Sequence, residues 1–158
     1  MEKELLIENN KLNLKCIVIS GMAKTGTTLP LTLLDGHPEL LVFPVELRFF
    51  HNDCHLEDSK LALSKLINDP NIQMLKKNKI LYDKKNYLDH GGTGFGNRDY
   101  SSFSFEVFYK HLEASFTESS SAADRFLNII IGFCKAIGKE FSKDIIFVSK
   151  APHNELFI

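Results

Sequence analysis

The residues best suited to chemistry lie between Ser20 and Thr28, directly after the apolar run at residues 16–19. That run is typical of a short buried strand, and the apolar residues at 29–34 predict a helix. The first backbone N–H groups of a helix have no partner within it, and the helix dipole is positive at that end. A strand, a glycine-containing turn and a helix N-terminus therefore predict a site for a phosphate or a similar anion.

The side chains of this loop favour the same chemistry. Gly21 and Gly26 let the backbone approach a bound phosphate closely, because glycine has no Cβ atom. Thr27 and Thr28 place hydroxyl donors at the start of the helix, and Lys24 places a positive charge inside the loop. The alternative is an ordinary solvated turn with a surface lysine.

The residue order distinguishes this loop from the nucleotide triphosphate loop, Gly-x-x-x-x-Gly-Lys-Ser/Thr. Gly21 and Gly26 have the required spacing, but Thr27 stands in the lysine position and the lysine of this loop is Lys24. The hexapeptide 23–28, Ala-Lys-Thr-Gly-Thr-Thr, instead resembles the phosphosulfate-binding loop of the sulfotransferases, Pro-Lys/Arg-Ser-Gly-Thr-Thr. It differs from that form at its first and third residues.

A second segment, Phe-Pro-Val-Glu-Leu-Arg-Phe-Phe at 43–50, is similar to the Lys-Glu-x-x-Phe-Phe segment of heparan-type and related carbohydrate sulfotransferases. The resemblance implies that Glu46 is the general base, since an acceptor hydroxyl must lose its proton as it attacks sulfur. Val45 stands where those enzymes have lysine. The alternative is a surface glutamate paired with Arg48.

A third segment, at 147–154, resembles the strand followed by Lys-Thr-Pro in the same superfamily. The resemblance implies that Lys150 lines the active site near the sulfuryl group or the acceptor, where it could stabilise developing charge. Ala151 replaces the threonine. His153 is a second candidate for the base, because a neutral imidazole accepts a proton near neutral pH. Its alternative role is that of a polar residue at a helix N-terminus.

The resemblance implies transfer of a sulfuryl group from 3′-phosphoadenosine-5′-phosphosulfate (PAPS) to a hydroxyl or amine, with no metal ion. Lys24 would contact the bridging oxygen of the leaving phosphate, while Glu46, Lys150 and His153 would serve the acceptor side. The acceptor, a carbohydrate or a small molecule, is not identified by the sequence. The donor-binding residues implied are Gly21, Ala23, Lys24, Thr25, Gly26, Thr27 and Thr28.

The implied fold is α/β, a P-loop NTPase-like three-layer fold with a parallel sheet, in a single sulfotransferase domain at 1–158. Residues 15–36 would form its strand, loop and helix, and residues 76–102 a long irregular loop. The family's 3′-phosphate site uses an arginine and a serine downstream of the Lys-Thr-Pro segment, and the sequence contains no such continuation. We therefore expect a domain incomplete at its C-terminus, with little activity alone, that self-associates or binds a complementing C-terminal half.

Two other functions are compatible with these motifs. One is an inactive or partner-binding fragment of a sulfotransferase, which an exposed apolar sheet edge would mark. The other is a nucleotide-dependent phosphoryl transferase, disfavoured because the sequence lacks the lysine after Gly26 and an evident aspartate for Mg²⁺ at a strand end. The cluster at 51–55 contains His, Asp and Cys, but it lacks the paired spacing of a zinc site, and a polar loop is the better interpretation.

Composition limits the class of protein. The chain has 158 residues, 44% hydrophobic and 25% charged, which is typical of one globular domain. A net charge of -1 provides no basic field for nucleic acid. The three cysteines are widely spaced and favour a reducing compartment. No apolar run reaches membrane-spanning length, and residues 1–11 are too charged for a secretory signal, so we expect a cytoplasmic protein.

Hydrophobic periodicity predicts the elements that must position these residues. Apolar runs without alternation predict buried strands of a parallel sheet, at 15–20, 40–43 (closed by Pro44) and 145–148. Two helices are predicted in the first half of the chain, one from Thr27 to Asp35 and one at 59–68 with Ser59 as its N-cap. Two more follow in the second half. One carries the apolar stripe Phe105, Phe108, Leu112 and Phe116, and the other runs from the capping box at Ser121 to Gly138.

The form of the loop at 21–28 generates a binding prediction. Because the loop at 21–28 resembles the sulfotransferase form, the resemblance implies that PAPS or its desulfated product should bind more tightly than ATP. Calorimetric titration of the three nucleotides measures this order directly. Tighter binding of ATP that depends on Mg²⁺ would contradict the sulfotransferase interpretation.

Overall fold

The computed structural model describes three strands and five helices, which form a mixed α/β fold as predicted. The strands are β1 Lys15–Ile19, β2 Leu40–Glu46 and β3 Ile146–Lys150. The helices are α1 Thr28–Leu34, α2 Ser59–Asn68, α3 Pro70–Lys77, α4 Phe105–Glu118 and α5 Ala122–Ala136. The residues described are 15–21, 27–35, 37–77, 102–119, 121–142 and 144–151.

The three described strands form one parallel sheet in the order β1-β3-β2. Lys15 of β1 and Leu40 of β2 are both register partners of Ile146, so β3 lies between strands that come earlier in the sequence. Parallel strands all end at the same edge of the sheet. The carboxyl ends of all three strands therefore meet there, which is where open α/β sheets bind ligands.

The two faces of the sheet have cores of different size. Along each strand, alternate side chains point to opposite faces. One face packs against α2 to α5 and contains the larger core, which includes Phe43, Phe133 and Phe147. The other face packs against α1 through Leu31, with Leu40, Val42 and Val148 beneath it.

The prediction that all three strands are buried is wrong for β1. Ile17 is 42% exposed and Val18 is 47% exposed, whereas β2 is buried along nearly its whole length. Within the described residues, β1 has only β3 as a neighbour, and α1 packs over β2 and β3. The apolar run of β1 therefore forms an edge of the described sheet and not its centre.

The prediction that Pro44 closes β2 is also wrong, because the strand continues to Glu46. Proline lacks an N–H group and removes one hydrogen bond from a ladder. Here the register with β3 shifts between Val42 and Glu46, so the ladder is already irregular where Pro44 lies. This irregularity lets β2 continue far enough to carry Glu46.

The helix ends follow local sequence, with two corrections. The N-cap of α2 is Asp58 and not Ser59, since the Asp58 carboxylate accepts a hydrogen bond from Leu61 N at 2.9 Å.

A further helix, α3, begins at Pro70, where only a helix stop was predicted. Proline is compatible with the first helical position, because the N–H that it lacks would have no partner there. α3 also occupies the first two residues of the segment predicted to be irregular from residue 76.

The predictions for α4 and α5 are confirmed. Phe108, Leu112 and Phe116 are fully buried along one side of α4. Ser121 caps α5 by accepting a hydrogen bond from Asp124 N at 3.1 Å. The C-terminus of α5 closes at Gly138, whose φ of 68° is in the left-handed region that favours glycine. Among the described helices, none is both long and apolar enough to cross a membrane.

The contact between α4 and α5 places a histidine in a partly buried position. A Cβ atom at Gly132 would lie 2.9 Å from His111 Cδ2, so the glycine permits the close approach of the two helices. Lys135 Nζ lies 3.2 Å from His111 Nδ1. Burial, and then the charge of Lys135, lower the pKa of His111 below its ordinary value.

The lowered pKa of His111 predicts acid sensitivity. Below about pH 6.5 this histidine binds a proton in the unfolded chain, whereas in the folded protein it stays neutral until a lower pH. The free energy of unfolding therefore falls as the pH falls toward the folded pKa. The His111→Gln variant should lose less stability than the wild type between about pH 7.5 and 5.5. Thermal unfolding at both pH values measures the difference, and equal losses in the two proteins would contradict the assignment.

Candidate functional site

Hydrogen bonds tie together the residues that leave the three strands. Ala151 N donates to Ile19 O at 3.1 Å, and Ser20 Oγ donates to Ala151 O at 3.3 Å. On the other side of β3, Leu47 N donates to Lys150 O at 2.9 Å. The start of the predicted anion loop, the Glu46 segment and the Lys150 segment therefore share one edge of the sheet.

An ion pair between Glu46 and Lys150 is the main polar feature of this edge. The two residues are register partners on β2 and β3, and Lys150 Nζ lies 3.0 Å from Glu46 Oε1. Their side chains are 30% and 12% exposed, so the pair is partly shielded from water. Alternation along the strands places them on the same face as Val42 and Val148, which is the face covered by α1.

The alternative pairing of Glu46 with Arg48 is not the one observed. Arg48 Nη1 lies 3.8 Å from Asp69 Oδ2, at the junction of α2 and α3. Glu46 itself is the last residue of β2, whereas the sequence suggested a position just past the strand end. It is therefore held by the strand ladder, which restricts its backbone more than a loop would.

The described part of the anion loop consists of its two ends. Gly21 follows β1, and Thr27 occupies the N-cap position of α1 with helical dihedrals and no capping hydrogen bond from its side chain. Thr28 is the first residue of α1. The start of the loop thus lies at the sheet edge that carries Glu46 and Lys150, and α1, which follows the loop, packs on β2 and β3. The predicted site residues that lie outside the described ranges are Ala23, Lys24, Thr25, Gly26 and His153.

The turn that follows Glu46 is fixed by an arginine that sequence reasoning missed. Arg125, 3% exposed on α5, donates from Nε to Cys54 O and from Nη2 to Leu56 O, each at 2.7 Å. The sequence did contain a signal for this role. Arg125 is four residues before Ile129 and eight before Phe133, in phase with the buried stripe of α5. A charged residue on a buried stripe requires a polar partner inside the protein.

Two further contacts hold the same turn. Asn52 Nδ2 donates to Asp69 Oδ2 at 3.0 Å, and both residues are buried. The Phe49 ring lies edge-on to Phe126 and to Phe50, with ring centroids 5.3 and 5.4 Å apart. The segment after Glu46 is therefore anchored to both the α2–α3 junction and α5.

The cysteine and histidine cluster at 51–55 has no metal-binding arrangement among the residues that the structure describes. Burial raises the pKa of the Cys54 thiol to about 12, so this sulfur remains protonated near neutral pH. Its Sγ atom donates a weak hydrogen bond to Asn52 O. Cys54 thus contributes to the packing of the turn.

Comparisons of this chain with protein-family models, with curated proteins and with solved structures found no match.

Removal of Arg125 should loosen the turn that follows Glu46. In Arg125→Met the carbonyls of Cys54 and Leu56 lose charge-assisted donors, and we expect a loss of about 2–4 kcal/mol in the free energy of unfolding. Lys110→Met is the control, because Lys110 forms an exposed pair with Glu106 and its loss should leave the free energy of unfolding nearly unchanged. Urea denaturation measures both. Similar values for the two variants would show that Arg125 does not anchor the turn.

Proposed function

We propose that this chain is a PAPS-dependent sulfotransferase that moves a sulfuryl group to a hydroxyl or amine acceptor. The observation that supports the proposal most is the 3.0 Å pair of Glu46 and Lys150 at the sheet edge where the loop at 21–28 begins. The sequence resemblance selected these three segments independently of one another. Their convergence on one edge is what a reaction between a loop-bound donor and an acceptor requires.

In the proposed reaction the acceptor oxygen attacks the sulfur atom of PAPS. The new O–S bond forms while the bond between sulfur and the bridging phosphate oxygen breaks, and the acceptor proton moves to Glu46. The leaving 5′-phosphate carries the released electron pair. In this proposal Lys24 neutralises that charge, and the backbone N–H groups and hydroxyls at 26–28 hold the phosphate.

Lys150 has a positioning role in this scheme. Its contact with Glu46 Oε1 restricts the rotamer of the carboxylate, which assigns proton transfer to the other carboxylate oxygen. A cation at this position also lies near the sulfuryl oxygens of a donor bound at the loop. α1 has only seven residues, so its dipole is small. We therefore assign most of the electrostatic stabilisation of the donor's negative charge to Lys24 and Lys150 and little to the helix dipole.

The alternative of a partner-binding protein without catalysis draws on a different observation. Ile17 and Val18 expose apolar surface on both sides of β1, an edge strand within the described sheet. Such an edge can pair with another chain. The phosphoryl-transferase alternative has less support, since the described strand ends carry Glu46 paired with Lys150 and no aspartate suited to Mg²⁺.

Substitutions at the ion pair test the proposed roles. In an active, completed version of the enzyme, Glu46→Gln should lower turnover with PAPS about 10²–10⁴-fold in a panel of hydroxyl and amine acceptors, because the general base is lost. The dissociation constant of the desulfated donor should change little, since the carboxylate serves the acceptor. Lys24→Ala should abolish turnover and weaken donor binding as well.

The control is Glu106→Gln, which removes an exposed carboxylate from α4 and should leave both quantities unchanged. Full turnover in Glu46→Gln, together with loss of turnover in His153→Ala, would transfer the base assignment to His153. Tight donor binding without turnover in that completed enzyme would favour the partner-binding alternative.

A further inference from the structure

A cavity of about 340 Å³ lies beside β1, on the face of the sheet opposite α1. Its floor includes Cys16 and Val18 of β1 and Ser149 of β3, and its walls include Phe50 and Phe126. It is separate from the ion pair of Glu46 and Lys150, because alternation along the strands sends those two side chains to the other face. No role in the proposed sulfuryl transfer uses it.

The cavity lies where the start of α5 packs on the sheet. Phe126 packs on Phe147 of β3, with ring centroids 5.8 Å apart. The first turn of α5 presents Ala122 and Ala123 toward the cavity, and these short side chains leave space above Val18. Larger side chains at the same positions would fill the volume.

The walls of the cavity favour an uncharged, flat ligand. Three phenylalanine rings (Phe49, Phe50 and Phe126) line it, and no charged side chain is among the described residues that do so. The polar side chains among the lining residues are those of Ser149 and Cys16. Ligand pockets typically combine such apolar walls with very few polar groups that fix orientation.

The volume suggests the size of the ligand. An apolar cavity of about 150 Å³ in another protein binds benzene, so a cavity with a little over twice that volume suits two fused rings. We propose that this cavity is a binding site for a neutral bicyclic aromatic molecule with one hydroxyl group, which hydrogen-bonds to Ser149. The proposal concerns binding alone and is independent of sulfuryl transfer.

Cys16 provides a direct reporter of occupancy. Of the three cysteines in the chain it is the exposed one, whereas Cys54 and Cys134 are buried. Its thiol lines the cavity, so a bound ligand should shield it from alkylation. We expect saturating 2-naphthol to slow the labelling of Cys16 by iodoacetamide at least tenfold, with the modified residue identified by mass spectrometry. Naphthalene-1,5-disulfonate, which has the same rings but two charges, should give no protection.

Two variants test the location and the polar contact. Ala123 is exposed and lines the cavity, so Ala123→Leu should occupy the volume and weaken 2-naphthol at least tenfold without lowering Tm. Ala114→Leu, at an exposed position on α4, is the matched control and should change nothing. Ser149→Ala should weaken 2-naphthol several-fold while leaving naphthalene unaffected, as calorimetry can measure.

Three results would overturn the proposal. The first is an absence of saturable binding of 2-naphthol to the folded wild type. The second is equal weakening by Ala123→Leu and Ala114→Leu, which would place the ligand elsewhere. The third is a change of oligomeric state in Ala123→Leu without any effect of 2-naphthol on Cys16, which would assign the cavity to contact with a second copy of the chain.

Discussion

The pairing of β3 with both other strands is the constraint on which the described structure depends. β1 and β2 come early in the chain, and the long segment that follows them must fold back before β3 can lie between them. This pairing is parallel on both sides, so Glu46, Lys150 and the start of the loop after β1 reach one edge. Without β3, neither the ion pair nor the hydrogen bonds around Ala151 could form.

The packing of α4 and α5 supplies the energy that places β3 there. Phe43 of β2, Phe147 of β3 and Phe133 of α5 are fully buried, and the Phe43 ring lies 4.9 Å from the Phe133 ring and 6.1 Å from the Phe147 ring, between centroids. Each such ring contributes roughly 1.5–3 kcal/mol through burial of apolar surface. Arg125 extends the same support to the turn after Glu46, through hydrogen bonds to the carbonyl groups of Cys54 and Leu56. The candidate base is therefore positioned by a helix far from it in sequence.

The two faces of the sheet offer different chemistry at the same edge. On the α1 face, Glu46 and Lys150 form a charged pair at the edge where β1 ends. On the opposite face, the residues that follow each of them, Leu47 and Ala151, line an apolar cavity with Phe49. The period of two along each strand causes this separation, since adjacent residues must point to opposite sides.

The sequence alone determined the local elements, because these depend on neighbours within a few residues. They are the helical stripe that ends at Phe116, the caps at Ser121 and Gly138, and the strand-loop-helix order around Gly21. It also singled out Glu46 and Lys150, but as members of separate motifs. Tertiary structure decided their pairing, the exposure of β1, the passage of β2 through Pro44 and the anchoring role of Arg125. The physical reason is that strand order, register and burial depend on contacts between residues distant in sequence, which periodicity and capping signals do not encode.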